Sequence, residues 1–367
     1  METHLSRFTC LVALALLASC DDATGPQPSG SEAVLVLNSG GQTLAGFTLD
    51  DMGLAVSGAP IDLGAGFDGV TVDATTTHAV TTVSSFGGSR VLFAELSTGV
   101  VTTSTFPVPE AGDANPSRPT FDAAGTAWIA GRGSDAIYSA LPGGGLATRL
   151  ASDVGTFVER ILPLGSELFA VDAFIDDDGG TFAPLGASRI IVVNSANGFV
   201  GDTIELPAGA VNAIDAVQVG NRFVVLLGGT FDGTTFAPNG DGGLVVVNPS
   251  ARTTGPLVSL GGNGVAIEAG TDGLVHVTAT SDFATIDALA FDPAAGSFVN
   301  GPAAPFVVRD AGGDRVDCWA ITGLDDGRRL CVTSNFAASG RFLVVDANGD
   351  ALDEVPSGFG SVDILLR

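Results

Sequence analysis

Two acidic stretches carry the side chains best suited to chemistry, Asp176, Asp177 and Asp178 in one and Asp232 and Asp241 in the other. Carboxylate oxygens on flexible loops are the ligands that calcium takes. The EF-hand spacing fails, because Phe174 stands where the first ligand should be and Leu185 where the closing Glu should be. These aspartates are therefore expected as solvated loop carboxylates on a surface that meets a ligand or partner. Catalytic groups are scarce elsewhere. All fifteen basic residues are Arg and none is Lys, which excludes a P-loop and Schiff-base chemistry. Of the three histidines, His4 lies in the N-terminal leader, His78 beside a turn and His276 within an apolar strand, so general acid–base catalysis by His has little to work with. Neither G-x-S-x-G nor H-E-x-x-H occurs. Asp346, Asn348 and Asp350 give D-x-N-x-D without a Glu at the twelfth place, which reads as a plain turn.

The elements that must position these groups repeat. The run from Asp178 to Asn194, DGGTFAPLGASRIIVVN, returns in the same register from Asp232 to Asn248 as DGTTFAPNGDGGLVVVN. Self-similarity at a period of roughly 40 to 55 residues, carried by apolar strands between Gly and Asp turns, is the signature of a propeller or related array. With 51 Gly and 18 Pro among many Val, Ile, Thr and Phe, the chain favours short strands and tight turns over helices. Second strands of successive blades are expected at about Ala33, His78, Ala127, Leu168, Arg222, Leu274 and Arg329, which makes seven blades. Third strands follow at Leu44–Leu49, Val91–Leu96, Ile137–Leu141, Ile190–Val193, Leu244–Val247, Ala288–Phe291 and Phe342–Val345. The first blade lacks an innermost strand, whereas Ser361–Leu366 is an apolar strand without a blade. Pairing the two ends would close the ring and remove free sheet edges. The expected fold is all-β, a seven-bladed propeller of four-stranded antiparallel blades closed by the C-terminal strand. The loops Ile175–Ser188 and Asp232–Gly242 then share one rim. Phe86, Phe174, Phe231, Phe283 and Phe336 recur where second strands end, and large apolar residues at repeat positions are expected as wedges between blades.

The segment Pro119–Leu141, PTFDAAGTAWIAGRGSDAIYSAL, resembles the repeats of bacterial YVTN, NHL and streptogramin-lyase-type propellers, with a strand, an Asp-x-x-Gly turn and a Trp-bearing second strand. That superfamily holds enzymes, binding proteins and scaffolds. Asp68, Ser117, Glu159, Asn212, Asn263, Asp317 and Ser361 stand where the innermost strands begin, around one mouth of the channel. A hydrated polar ring accounts for such a set. The order Glu, Asn, Asn, Asp over four consecutive blades also resembles the metal site of the gluconolactonase family. That resemblance implies Glu159, Asn212, Asn263 and Asp317 as ligands of calcium or another divalent cation, with Asp317 as the base of a lactonase or lyase. The family has six blades rather than seven, and a wider ring spreads such ligands apart.

Charge and termini set the compartment. Against the fifteen Arg stand 41 acidic residues, a formal net charge of -26, so nucleic acid is excluded as a partner. Arg7 precedes an apolar run from Phe8 to Ala18, too short for a permanent span and suited to the core of a signal peptide. Leu17, Ala18, Ser19 and Cys20 resemble the lipobox of bacterial lipoproteins, which implies cleavage after residue 19 and lipidation of Cys20. Residues 21–31, DDATGPQPSGS, read as a flexible tether between lipid and propeller (32–367). Cys318 and Cys331 remain as a pair in an oxidising compartment and are expected to form a disulfide, with free buried thiols as the alternative. The expected protein is extracytoplasmic and touches the membrane through its lipid alone. It serves as a binding or scaffold module for a cell-envelope protein or small ligand; the metal-dependent lactonase or lyase is the alternative.

Overall fold

The computed structural model describes residues 32–50, 53–64, 69, 71–84, 88–107, 114–176, 183–334 and 338–367. Seven antiparallel sheets follow one another along the chain, and each is one blade of a propeller. Blade four shows the plan, with strands Val158–Leu164, Glu167–Asp172, Arg189–Asn194 and Val200–Glu205 running from the central channel outward. Its counterparts in blade five are Ala213–Val219, Arg222–Leu227, Gly243–Asn248 and an outer edge broken into Thr253–Thr254 and Val258–Ser259. Blade six comprises Asn263–Ala269, Val275–Thr280, Ile286–Asp292 and Ser297–Asn300, and blade seven Ala320–Gly323, Arg329–Val332, Ser339–Val345 and Ala351–Phe359. Among the described residues the one helical element is a short 3-10 turn, Arg132–Ser134.

Second and third strands are sandwiched between neighbouring blades on both faces. That is why they read as unbroken apolar runs such as Phe223–Leu227, all buried, rather than as alternating ones. Outermost strands face solvent and carry polar residues, as in Val200–Glu205, where Ile204 alone is buried. Between blades four and five, Phe169 packs edge-on against Phe223 with centroids 5.1 Å apart, amid Leu162, Ile190, Val192 and Val245. Between blades seven and one, Phe342 meets Phe47 at 4.9 Å. The wedges are thus strand aromatics, Phe47, Phe93, Phe169, Phe223, Phe291 and Phe342.

The ring closes as the sequence requires. Ser361–Leu366 is the innermost strand of blade one and pairs antiparallel with Glu32–Asn38, Val36 opposite Ile364 and Leu35 opposite Leu365. The blades depart from uniform four-strandedness in three places, the broken outer edge of blade five among them. Gly145–Leu146 reaches out of blade three and adds a parallel fifth strand to blade two, and Ile61–Asp62 extends the outer edge of blade one. A short hairpin, Ile175–Asp176 with Ala183–Pro184, stands on the rim of blade four.

Candidate binding cleft on the rim of blades four and five

The loop between the second and third strands of blade five is held from three sides. Asn212, at the entry to the innermost strand of its own blade, donates Nδ2 to the carbonyl of Gly229 at 2.9 Å. Asn263, buried at the start of blade six, donates to the Thr230 carbonyl at 2.8 Å and accepts the Gly240 amide at 2.9 Å. Asp241 accepts both the amide and the hydroxyl of Thr230 at 2.7 Å. Gly229 has φ +70, and a Cβ there would fall 2.6 Å from the Asp241 carboxylate, so no other residue fits this crossing. Asp232 accepts the amides of Thr234 and Thr235 at 3.0 and 2.7 Å and the Thr235 hydroxyl at 2.8 Å. These bonds, the Thr235 amide first, hold its carboxyl below the usual aspartate range.

Such anchoring turns aromatic rings outward. Phe236 is 72% exposed, Phe283 61% and Phe231 44%, and the rings of Phe231 and Phe283 stack with centroids 5.9 Å apart and planes 10° from parallel. Phe174, Phe236 and Phe283 all have φ between +54 and +60. A bulky side chain in the left-handed region costs roughly 1–3 kcal/mol and persists only where its surroundings impose it. The expectation that Phe231 and Phe283 are wedges between blades is therefore corrected. They follow the last sheet-paired residue of their strands, beyond the interblade sandwich, and the loop bonds aim them at solvent. Phe174 is half-buried, and Phe86 and Phe336 lie outside the described residues.

The facing wall belongs to blade four. Asp172, wholly buried at the end of the second strand, accepts the amides of Thr156, Phe157 and Phe174 at 3.0–3.2 Å and pairs with Arg189 Nε at 2.9 Å. One carboxylate so fixes the backbone of two aromatic residues, and the Arg189 guanidinium lies 4.0 Å from the Phe174 ring. Between the walls opens a cleft of about 670 Å³, lined chiefly by Phe157, Ile175, Pro184, Thr230, Phe231 and Phe236, with Asn212 and Asp232 among its polar groups. The two copies of the repeated segment contribute opposite sides of it, with Pro184 on one side and Phe236 on the other.

The residues singled out in the sequence are distributed as follows. Asp232 and Asp241 lie on the blade-five loop as described, Asp176 sits in the blade-four hairpin, and Asp177 and Asp178 lie outside the described residues, as does Cys20. Glu159 is buried and accepts Arg118 at 3.2 Å and Arg132 at 3.3 Å. Asn212 and Asn263 hold the blade-five loop. Asp317 is half-exposed and pairs with Arg315 at 3.1 Å. Of the oxygens that a divalent cation would need, those of Glu159 are held in ion pairs, Asp317 Oδ1 faces Arg315, and Asn263 Oδ1 accepts the Gly240 amide. Among the described residues no group of three or more His, Cys, Asp or Glu side chains is placed to hold a metal ion. Cys318 and Cys331 are joined in a disulfide with Cα atoms 5.5 Å apart.

Sequence reasoning missed Asp172 and the charged lining of the central channel. That channel, about 250 Å³, is lined by Asp73, Arg160, Asp215, Glu268 and Asp363 among others. Arg118 reaches Asp215 at 3.0 Å, and although burial opposes its charge, Asp215 and Glu159 together raise its pKa. Asp73 and Asp363 each accept an amide of the following blade's innermost segment, Phe121 and Val72 respectively, at 2.7 Å. A sequence signal existed: in Val72-Asp73-Ala74, Ile214-Asp215-Ala216, Ile267-Glu268-Ala269 and Val362-Asp363-Ile364 a lone acid sits between apolar neighbours.

Comparison with protein-family profiles and with curated proteins yields no match. Solved structures share the architecture. A Bacteroides fragilis protein provisionally assigned as a 6-phosphogluconolactonase is similar with a TM-score of 0.59 at 10% identity, over 94% of this chain and 100% of that one. A protein from Lactobacillus plantarum gives 0.56 at 12% identity over 92% and 100%. Virginiamycin B lyase from Staphylococcus aureus gives 0.51 at 14% identity over 78% and 84%. At such identities the likeness shows the fold, and this chain is a seven-bladed β-propeller.

Proposed function

We propose that this propeller is a binding module, tethered outside the cytoplasm through lipid on Cys20, and that its ligand or partner occupies the cleft on the rim of blades four and five. One observation carries the reading. The duplicated segment contributes residues to both walls of an apolar cleft, Ala183 and Pro184 on one and Asp232 and Phe236 on the other, and exposed Phe rings on strained backbone stand at its edge. Concave, mostly apolar sites of a few hundred Å³ with a small number of fixed polar groups are what ligands and side-chain anchors occupy. Strain of this kind clusters at functional positions. The apolar N-terminal run and the Leu17–Cys20 segment support export and anchoring. The test is removal of Gly179–Gly186 together with Gly233–Gly240. Thermal stability should stay close to that of the parent while a cell-envelope partner no longer co-purifies from detergent-solubilised membranes. Unchanged recovery of that partner would defeat the reading.

A further inference from the structure

The chemistry of the cleft is narrower than "apolar". An aromatic face carries negative charge density and attracts guanidinium and ammonium groups, most strongly where water is excluded. The protein uses this within the cleft walls, with Arg189 over Phe174 at 4.0 Å and Arg132 over Phe157 at 5.4 Å. Both arginines are neutralised, by Asp172 and Glu159. Among the described residues no Arg covers Phe231, Phe236 or Phe283, the rings that face outward. Beside them stand exposed carboxylates satisfied by amide and hydroxyl donors rather than by cations: Asp232 through Thr234 and Thr235, and Asp282 through Ala284 and Thr285 at 2.8 and 2.9 Å. The rim thus pairs aromatic faces with uncompensated negative charge, on a chain of net charge -26.

Resting on the reading of this rim as the binding site, we propose that the cleft takes a basic polypeptide segment in which Arg or Lys head groups alternate with apolar side chains. The apolar side chains enter the cleft between Ile175, Pro184 and Phe236, and the cationic heads lie over Phe231, Phe236 and Phe283 and against Asp232 and Asp282. A polypeptide fits better than a single small cation because the exposed rings are spread over two blades and continue a cleft whose other wall is on a third. One small head group would cover one of them.

The full chain in non-ionic detergent is titrated calorimetrically with an end-blocked eight-residue peptide of alternating Arg and Leu, and with Ser–Leu and Glu–Leu counterparts. The Phe231→Ala, Phe236→Ala, Phe283→Ala triple variant is titrated in parallel. It keeps all 41 acidic residues, so attraction of a basic peptide to the overall charge is equal in both proteins. The Arg–Leu peptide should bind the parent at least tenfold more tightly than it binds the triple variant, and tenfold more tightly than the parent binds Ser–Leu. Equal binding to parent and variant reduces the effect to bulk charge and overturns the proposal. Phe-dependent binding of Ser–Leu as tight as that of Arg–Leu overturns the cationic assignment while leaving the rim as the binding site. Tetramethylammonium binding as tightly as the peptide makes the occupant a small cation and overturns the polypeptide. Loss of the loops without effect on the recovered envelope partner removes the underlying reading itself.

Discussion

Glu268, on the innermost strand of blade six, and Asp363, on the strand that closes the ring, both line the central channel, where each shifts the ionisation of the other. Two buried carboxyl groups lining one small channel cannot both ionise cheaply, so the pair favours keeping a proton. Burial raises Asp363 to about 6 against the lowering by Glu268 and the Val72 amide, with Asp215 adding to the rise; burial and Asp363 push Glu268 well above its ordinary value. The proton therefore sits at the seam between the first and last elements of the fold.

A raised folded-state pKa contributes stability that is complete below the unfolded value, 3.8 for Asp, and is lost as pH rises through about 6. Stability should accordingly fall between pH 4 and pH 7, by on the order of 3 kcal/mol for a shift of this size. Asp232, Asp272, Asp310, Asp326 and Asp346 are shifted down, and their contribution is lost only as pH falls below the ordinary aspartate range. Glu268→Gln supplies a permanent donor to Asp363. Melting curves at pH 5 and pH 8 should show the variant less pH-dependent than the parent and more stable at pH 8. An unaltered pH profile would mean the pair does not share a proton.

Closure predicts a cost for truncation at Gly360. Val362 and Ile364 are 7% and 1% exposed, and each is worth roughly 1.5–3 kcal/mol when fully buried. The Ser361 hydroxyl also bonds Asn38 Oδ1 at 2.7 Å, and Asp363 caps the Val72 amide. Against a net stability of about 5–15 kcal/mol, the truncated chain should melt many degrees lower and aggregate through the opened edge of Glu32–Asn38. A melting temperature within about two degrees of the parent would contradict this.

Asp172→Ala removes the acceptor of three amides and the partner of Arg189, leaving a cation and amide donors unsatisfied in the interior. Losses of this type run to about 3–5 kcal/mol. Chemical-denaturant titration should show that loss, and the cleft should disorder with it, because the backbones of Phe157 and Phe174 depend on this carboxylate.

The Cys318–Cys331 disulfide joins the approach to the innermost strand of blade seven to its second strand, over a separation of 13 residues. A loop of that length implies about 3 kcal/mol of stabilisation. The double Ala variant, or the parent under reductant, should lose roughly that amount by urea titration, with the slope little changed. No shift in midpoint would show the bond to be dispensable.

Cys20→Ser should abolish incorporation of labelled fatty acid and release the chain or leave it uncleaved. Equal labelling of the variant would refute lipidation at this residue.

The number of blades was legible in the sequence because it follows from local properties. Apolar runs of five or six residues, buried on both faces, recur between Gly and Asp turns, and every second and third strand lies where those runs predict it. Closure was legible too, since an unpartnered strand at one end met a missing strand at the other. The repeat also located the rim, for its two copies are the two longest loops there. The direction of the aromatic rings was not legible. A Phe at the end of a strand can turn inward as a wedge or outward to solvent, and the choice was made at Phe231 by Asn263 from the next blade, and at Phe283 by Thr280, whose Oγ1 accepts the Phe283 amide at 2.9 Å, and by left-handed backbone that no pattern of apolar residues records. The partners of Glu159 were equally hidden, as Arg118 and Arg132 come from a different blade. Period is a property of neighbouring residues. Which charges meet in the channel is a property of the closed ring, which brings Glu268 to Asp363 and Arg118 to Asp215 across nearly a hundred residues of chain.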